Sequence, residues 1–228
     1  MLQSLKSLFK FPLPILSGSL KGVRWFWGSG GTSYLLGTYE REMCDVFQNL
    51  VRRGDVVFDI GAHVGFYTLL SAKCVGGGGA VYAFEPLDRN VDFLKKHIQL
   101  NRYRNITVLG VAVSDKNYFV CFEKGKDSFQ GRIVLGGGTK VPSVTLDRLV
   151  FEKNISPPNV LKIDVEDGEY AVLRGGMGVL KKYRPCILLS THGEELKQSC
   201  LLLLRKAGYK SERVGPNEFV AKPLEKPV

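Results

Sequence analysis

The chain has 228 residues, 44% of them hydrophobic and 24% charged, enough for one sizeable α/β core and short for two full domains. Lys and Arg outnumber Asp and Glu by 32 to 22, a formal charge of +10; the excess is scattered, which reads as solubility and general field and does not favour a dedicated nucleic-acid stripe. Cys44, Cys74, Cys121, Cys186 and Cys200 are odd in number and widely spaced, with neither CxxC nor metal-ligand spacing, so they read as reduced, mostly buried thiols of a cytoplasmic chain.

The opening "MLQSLKSLFKFPLPIL", residues 1–16, places Leu2, Leu5 and Leu8 at helical spacing before Pro12 and Pro14. It has no long apolar core or small-residue cleavage site, which excludes a signal peptide and a membrane span. A helix packed on its own domain is the expected role, with a peripheral membrane foot as the alternative. "RWFWGSGGTSYLLGTYE" is too irregular to assign an element. Residues 1–50 are therefore expected to be an N-terminal extension on a domain spanning 51–228, with Tyr34, Tyr39 and Glu40 as a candidate lid or acceptor wall.

From Gly54 onward, apolar runs alternate with helix-length amphipathic segments, the pattern of a doubly wound, mostly parallel Rossmann-like sheet covered on both faces. "VVFDI" is the first strand and a helix follows from Val64 to Lys73. "AVYAFEP" is the second strand, and the helix "DRNVDFLKKHIQLN" carries an apolar stripe of Val91, Leu94, Ile98 and Leu100 with Asp88 at its N-cap. "NITVLGVAVSD" reads as a third strand. Residues 118–145 then alternate with period two and break at glycines, which indicates a β-rich antiparallel insertion with the glycine triplet 136–138 at a hairpin tip. "NVLKIDVE" and "RPCILLSTH" are the fourth and fifth strands, separated by one glycine-rich helix, "AVLRGGMGVLKK". A helix over 194–208 and a terminal hairpin turning at Gly215, Pro216 and Asn217 complete the chain.

In such a sheet the ligand lies beyond the carboxyl ends of the strands, where strand order reverses. Three of those ends carry acids: Asp59 with Gly61, then Glu85, then Asp164 with Glu166. A pyrophosphate in the first turn would be repelled by Asp59, whereas a ligand with an ammonium and a sulfonium would be attracted. Glu85 follows Gly61 by 24 positions, close to the spacing at which an acid accepts from ribose hydroxyls. A ribose, a cationic portion and no phosphate near Asp59 describe S-adenosyl-L-methionine, whose amino-acid part Gly61 and Gly65 would let the backbone approach.

"VVFDIGAHVGFYTLLSAK", "VYAFEPLDRNVDFLKKHIQLN", "VAVSD", "VTLDRL" and "LKIDVEDGE" resemble, in order and at family-like spacing, the signatures of FkbM-type methyltransferases, within the class I S-adenosylmethionine-dependent fold. The resemblance implies methyl transfer to a hydroxyl oxygen, often on a sugar, glycan or secondary metabolite. It also implies that the methionine end meets Asp59, Gly61 and Gly65, with Ala62, His63, Pro86 and Asp164 as further cofactor contacts. The ribose would meet Glu85, and the adenine would lie near Ala112, Val113 and Ser114. The chain departs from the family at His63, where Asn is usual, at Asp167 and Gly168, where Gly-Ala is usual, and at Ser190, where Glu is frequent.

Methyl transfer from a sulfonium is an in-line displacement, so the acceptor proton needs a base. His192 ends a strand on the ligand edge and is the best candidate base; Asp164 and Glu166 could position the hydroxyl or accept its proton, with Glu166 on the same side as Asp164 if the backbone stays extended. His63 reads as a cofactor contact and His97 as a surface or packing residue. Asp167 and Glu169 read as a solvated acidic turn capped by Lys162, in preference to a divalent-metal site. Two other readings stay open: an RNA or protein methyltransferase, from the basic charge, and a cofactor-binding scaffold without catalysis.

Overall fold

The computed structural model describes residues 11–124, 131–134 and 138–225. Residues 1–10 of the candidate foot and most of the glycine triplet lie outside the described residues. Contrary to the irregular reading of the early segment, it folds into an antiparallel pair, β1 (Pro12–Pro14) and β2 (Arg24–Phe26), followed by α1 (Thr32–Leu36) and α2 (Arg41–Leu50).

The domain then runs β3 (Val56–Ile60), α3 (Phe66–Val75), β4 (Ala80–Phe84), α4 (Asp88–Leu100), β5 (Ile106–Leu109), β6 (Ala112–Val113), β7 (Tyr118–Lys124), β8 (Gly131–Val134) and β9 (Thr139–Val144). It closes with α5 (Leu146–Phe151), β10 (Val160–Ile163), α6 (Glu169–Arg174), α7 (Met177–Tyr183), β11 (Cys186–Ser190), α8 (Glu194–Lys206), β12 (Tyr209–Arg213) and β13 (Glu218–Pro223). The main sheet has the order β12-β13-β11-β10-β3-β4-β5. Five consecutive strands, β11-β10-β3-β4-β5, are parallel, and β13 is antiparallel to both its neighbours. Order reverses between β10 and β3, so the carboxyl ends of these two strands flank the ligand edge.

Three elements differ from expectation. The third strand is split: Val111 N–H turns back to the Leu109 carbonyl, and β6 leaves the main sheet to pair in parallel with β9 in a second sheet of order β6-β9-β7-β8. The glycine-rich helix is two helices, because the chain at Gly175 passes the Ser114 backbone so closely that a Cβ there would lie 2.2 Å from its carbonyl oxygen. Asp88 is the first helical residue of α4 and not its N-cap, which is Leu87.

Both sheet faces are covered. Phe58, Ile60, Leu161, Ile163, Ile187 and Leu189 pack under α5 to α8; Val57, Val81, Val160 and Leu188 pack under α3, α2 and the early segment. That second layer is aromatic: Trp25 stacks on Tyr34 at 5.3 Å, Tyr34 meets Tyr39 at 4.3 Å, and Tyr39 meets Phe66 of α3 at 5.0 Å. Among the described residues no helix is long and apolar enough to cross a membrane.

His97 joins the early segment to the glycine turn. Its ring stacks on Trp25 at 3.9 Å, Nδ1 lies 2.8 Å from the Val64 carbonyl, and Nε2 accepts the Phe26 N–H at 3.2 Å. This network assigns the Nδ1–H tautomer. The ring is fully buried, and burial pushes its pKa down from 6.5 to about 4. An unfolded chain takes up that proton near pH 6.5 and the folded one does not, so stability should fall by about 3 kcal/mol as pH drops from 6.5 to 4. Denaturant midpoints across that range are expected to show the loss, and His97→Gln is expected to be less stable at neutral pH but to lack this acid dependence.

Candidate functional site

The site grows from the switch point. Register pairs Asp59 of β3 with Lys162 of β10, and strand alternation puts Asp164 on the same face two residues on. Lys162 is buried, donates to Asp164 Oδ2 at 2.8 Å and lies over the Tyr67 ring at 4.6 Å. Burial alone would lower its pKa, but the Asp164 and Asp59 carboxylates outweigh that effect and hold it above the ordinary value. Conversely, burial would raise Asp164, and the Lys162 ammonium holds it below the ordinary carboxylate range. Lys162 is therefore the buried counterion of the strand ends and not the cap of a solvated turn.

Asp59 is fully buried. Its Oδ2 accepts the Thr68 hydroxyl at 2.5 Å, while Oδ1 has no hydrogen-bond partner. Burial raises its pKa, with Lys162 and Thr68 opposing. Gly61 follows at φ 83, where a Cβ would meet the Asp164 carbonyl oxygen at 1.9 Å, so only glycine lets this turn cross the end of β10. Ala62 is buried, and His63 sits at φ 51, a left-handed conformation in which Asn, Asp and His are enriched. Gly65, at φ 100, faces Leu94 of α4, so its role in this geometry is close packing of the turn against that helix.

Glu85 closes the turn from β4. Its Oε2 accepts the His63 N–H at 2.9 Å, and its Oε1 accepts Leu87 N–H at 2.9 Å and Asn90 Nδ2 at 3.2 Å. Burial pushes its pKa up to about 7 against those three bonds. Pro86 is half-buried beside it. Ala112, Val113 and Ser114 are buried where β6 meets β9; the Ser114 hydroxyl lies 2.7 Å from that of Ser143 and accepts Lys116 N–H at 3.0 Å.

The chemistry-bearing groups converge beyond β10 and β11. His192 Nδ1 lies 2.6 Å from Glu169 Oε1, and its Nε2 lies 3.8 Å from Asp164 Oδ1 and 3.7 Å from Glu166 Oε2. Glu169 is fully buried at the start of α6, which corrects the solvated-turn reading for this residue. The backbone does not stay extended after Asp164: Glu166 has φ 33 and Asp167 φ 70. Glu166 nevertheless reaches His192 because the turn folds back toward it. The hydrogen bond that Nδ1–H donates to Glu169, with the charge of the three carboxylates, outweighs burial and raises the His192 pKa to about 9. A base whose pKa was left near neutrality is therefore not what this histidine is at rest; it is an imidazolium held by acids.

The early segment reaches the same edge. Glu40, at φ 41 and therefore strained for a non-glycine residue, accepts the Tyr67 hydroxyl at 2.8 Å. Among the described residues no group of three or more His, Cys, Asp or Glu side chains is arranged to hold a metal ion.

A seven-stranded sheet ending in an antiparallel hairpin, with acids at three strand ends around a glycine turn, defines a class I methyltransferase. A family model described as the methyltransferase FkbM domain matches residues 59–211, and the chain belongs to this family. Its methyl donor is S-adenosyl-L-methionine. The chain is 24% identical over 166 residues to the hexuronic acid methyltransferase AglP of Haloferax volcanii, covering 72% of this chain and 67% of that protein. The crystal structure of methyltransferase FkbM from Methylobacillus flagellatus matches with TM-score 0.51 and 14% identity over 84% of this chain, which spans only 52% of that one. Aeropyrum pernix fibrillarin, solved with bound S-adenosyl-L-methionine, matches with TM-score 0.50 and 13% identity, covering 79% of this chain and 73% of that one.

The residues present suit that donor in charge. Asp59 Oδ1 is a buried acceptor with capacity unused, and Asp164 and Glu166 keep part of their surface open on an edge that would repel a phosphate.

Proposed function

We propose that the chain transfers a methyl group to a hydroxyl oxygen of a sugar or glycan. The observation that carries this reading is the Glu169–His192 pair, whose outer nitrogen, Nε2, faces the acidic mouth where a hydroxyl would enter. The hexuronic acid named for the Haloferax relative supports a sugar acid as the acceptor class.

In this reading Asp59, Gly61, Ala62, His63 and Gly65 surround the methionine end, together with Asp164. Glu85 and Pro86 meet the ribose. Ala112, Val113 and Ser114 wall the adenine by their backbone and apolar surface, since the Ser114 hydroxyl is already engaged. When bound, S-adenosyl-L-methionine supplies a methyl group on a sulfonium, open to in-line displacement. Once His192 has given up its resting proton, Nε2 takes the acceptor proton, and Glu169 fixes the ring and balances the resulting imidazolium. Asp164 and Glu166 orient the hydroxyl, and Tyr34, Tyr39 and Glu40 form the acceptor wall. Incubation with methyl-labelled donor and a panel of hexoses, hexuronic acids and their glycans is expected to label a sugar. Labelling of none of the panel would overturn the acceptor class.

A further inference from the structure

His97 ties the early segment to the glycine turn, and no step of methyl transfer uses it. On one side of the ring lies β2, bound to the end of α4 at two alternate residues. The Arg24 N–H donates to Asn101 Oδ1 at 2.8 Å, and Asn101 Nδ2 donates to the Arg24 carbonyl at 2.8 Å. One turn earlier on the helix, His97 Nε2 accepts the Phe26 N–H at 3.2 Å, and the ring stacks on Trp25 at 3.9 Å. The Ser29 hydroxyl donates to the Phe26 carbonyl at 2.7 Å and lies 3.3 Å from Nε2.

On the other side, Nδ1–H donates to the Val64 carbonyl at 2.8 Å. That carbonyl belongs to the Val64–Gly65 peptide, whose N–H donates to the Ala62 carbonyl at 2.9 Å. Glycine takes either sign of φ, so this peptide plane can turn over unless both its ends are held. The first half of the turn is secured from β4: the Phe84 carbonyl accepts the Gly61 and Ala62 N–H groups, and Glu85 accepts that of His63. The second half is secured from α4, by Leu94 against Gly65 and by His97 on Val64. His97 is fully buried, so it acts through the peptide and not by touching the donor.

We infer that His97 is a positioning residue of the donor site: its Nδ1–H fixes the Val64–Gly65 peptide in the conformation that receives S-adenosyl-L-methionine, and β2 fixes the ring. The inference rests on the placement of the methionine end of the donor at residues 59–65. Asparagine sets an N–H at the reach of Nδ1, and glutamine sets an oxygen at the reach of Nε2, so the two bonds can be removed one at a time. In calorimetric titrations with S-adenosyl-L-methionine, run well below each unfolding midpoint, His97→Asn is expected to keep the affinity of the parent within about threefold. His97→Gln is expected to lose ~10-fold, the scale of one hydrogen bond. Exchange of the Gly65 amide hydrogen in the donor-free protein should quicken in His97→Gln and not in His97→Asn. Equal affinities in the two variants, or a larger loss in His97→Asn, would make the ring a packing residue only and overturn the inference. Should His97→Gln fail to fold, His97→Asn decides, because a ~10-fold loss there contradicts the retained bond. Asp59→Asn reports on the placement itself. If it binds the donor as the parent does, the placement falls and the inference with it; if it binds more weakly while the two His97 variants match, the inference alone falls.

Discussion

Lys162→Met is expected to destabilise the fold by about 3 kcal/mol. Methionine fills the volume of the lysine stem, so the loss is electrostatic: the buried ammonium between Asp59 and Asp164 disappears while both carboxyls remain. Asp164 keeps about a quarter of its side chain exposed, which places the cost at the lower end of the range for a broken buried pair. Asp164→Asn in the same chain should recover part of the loss, because the orphaned charge is then removed as well. Denaturant melts of the three variants and the parent form the cycle; a Lys162→Met loss below about 1 kcal/mol, the scale of an exposed pair, would show that the ammonium is not the counterion of these strand ends.

The second expected result concerns pH. His192 takes a proton only when neutral, and its pKa in the free protein is raised to about 9. The sign follows: kcat/KM should climb with pH by about tenfold per unit and level off near pH 9. Stability runs the other way. The raised pKa favours the folded state below pH 6.5, and that contribution is lost as pH rises through about 9. Glu169→Gln removes the largest cause of the shift, so the apparent pKa should move down toward 6.5 while the plateau rate drops by ~100-fold from lost orientation. A merely structural Glu169 would lower the rate without moving the profile.

Local pattern made the framework readable. Strands such as Val56–Ile60 and Cys186–Ser190 are short apolar runs buried on both faces, and acids at their ends stand out against that background. What escaped was set by partners distant in sequence. The burial of Lys162 depends on its register with Asp59, more than a hundred residues earlier. Glu169 looked solvated because its partner, His192, arrives only with the next strand. His97 looked like an ordinary helical histidine because Trp25, Phe26 and Val64 enclose it from two other segments. The split at Gly110 had a local signal, a glycine inside a strand pattern, which marks an irregularity without saying that the strand changes sheets. Glycines at 175 and 176 stood out only as the middle of one helix; the close approach to Ser114 and Leu146 that divides it in two came with the fold.

The decisive measurement is the position of a carbon-13 methyl label in the product formed from labelled S-adenosyl-L-methionine and a hexuronic acid glycan. The proposed chemistry predicts a methyl ether on a ring hydroxyl, formed by the parent protein and lost in His192→Ala. A label found on the uronic carboxylate, on RNA or on protein, or an ether formed equally well without His192, would contradict it.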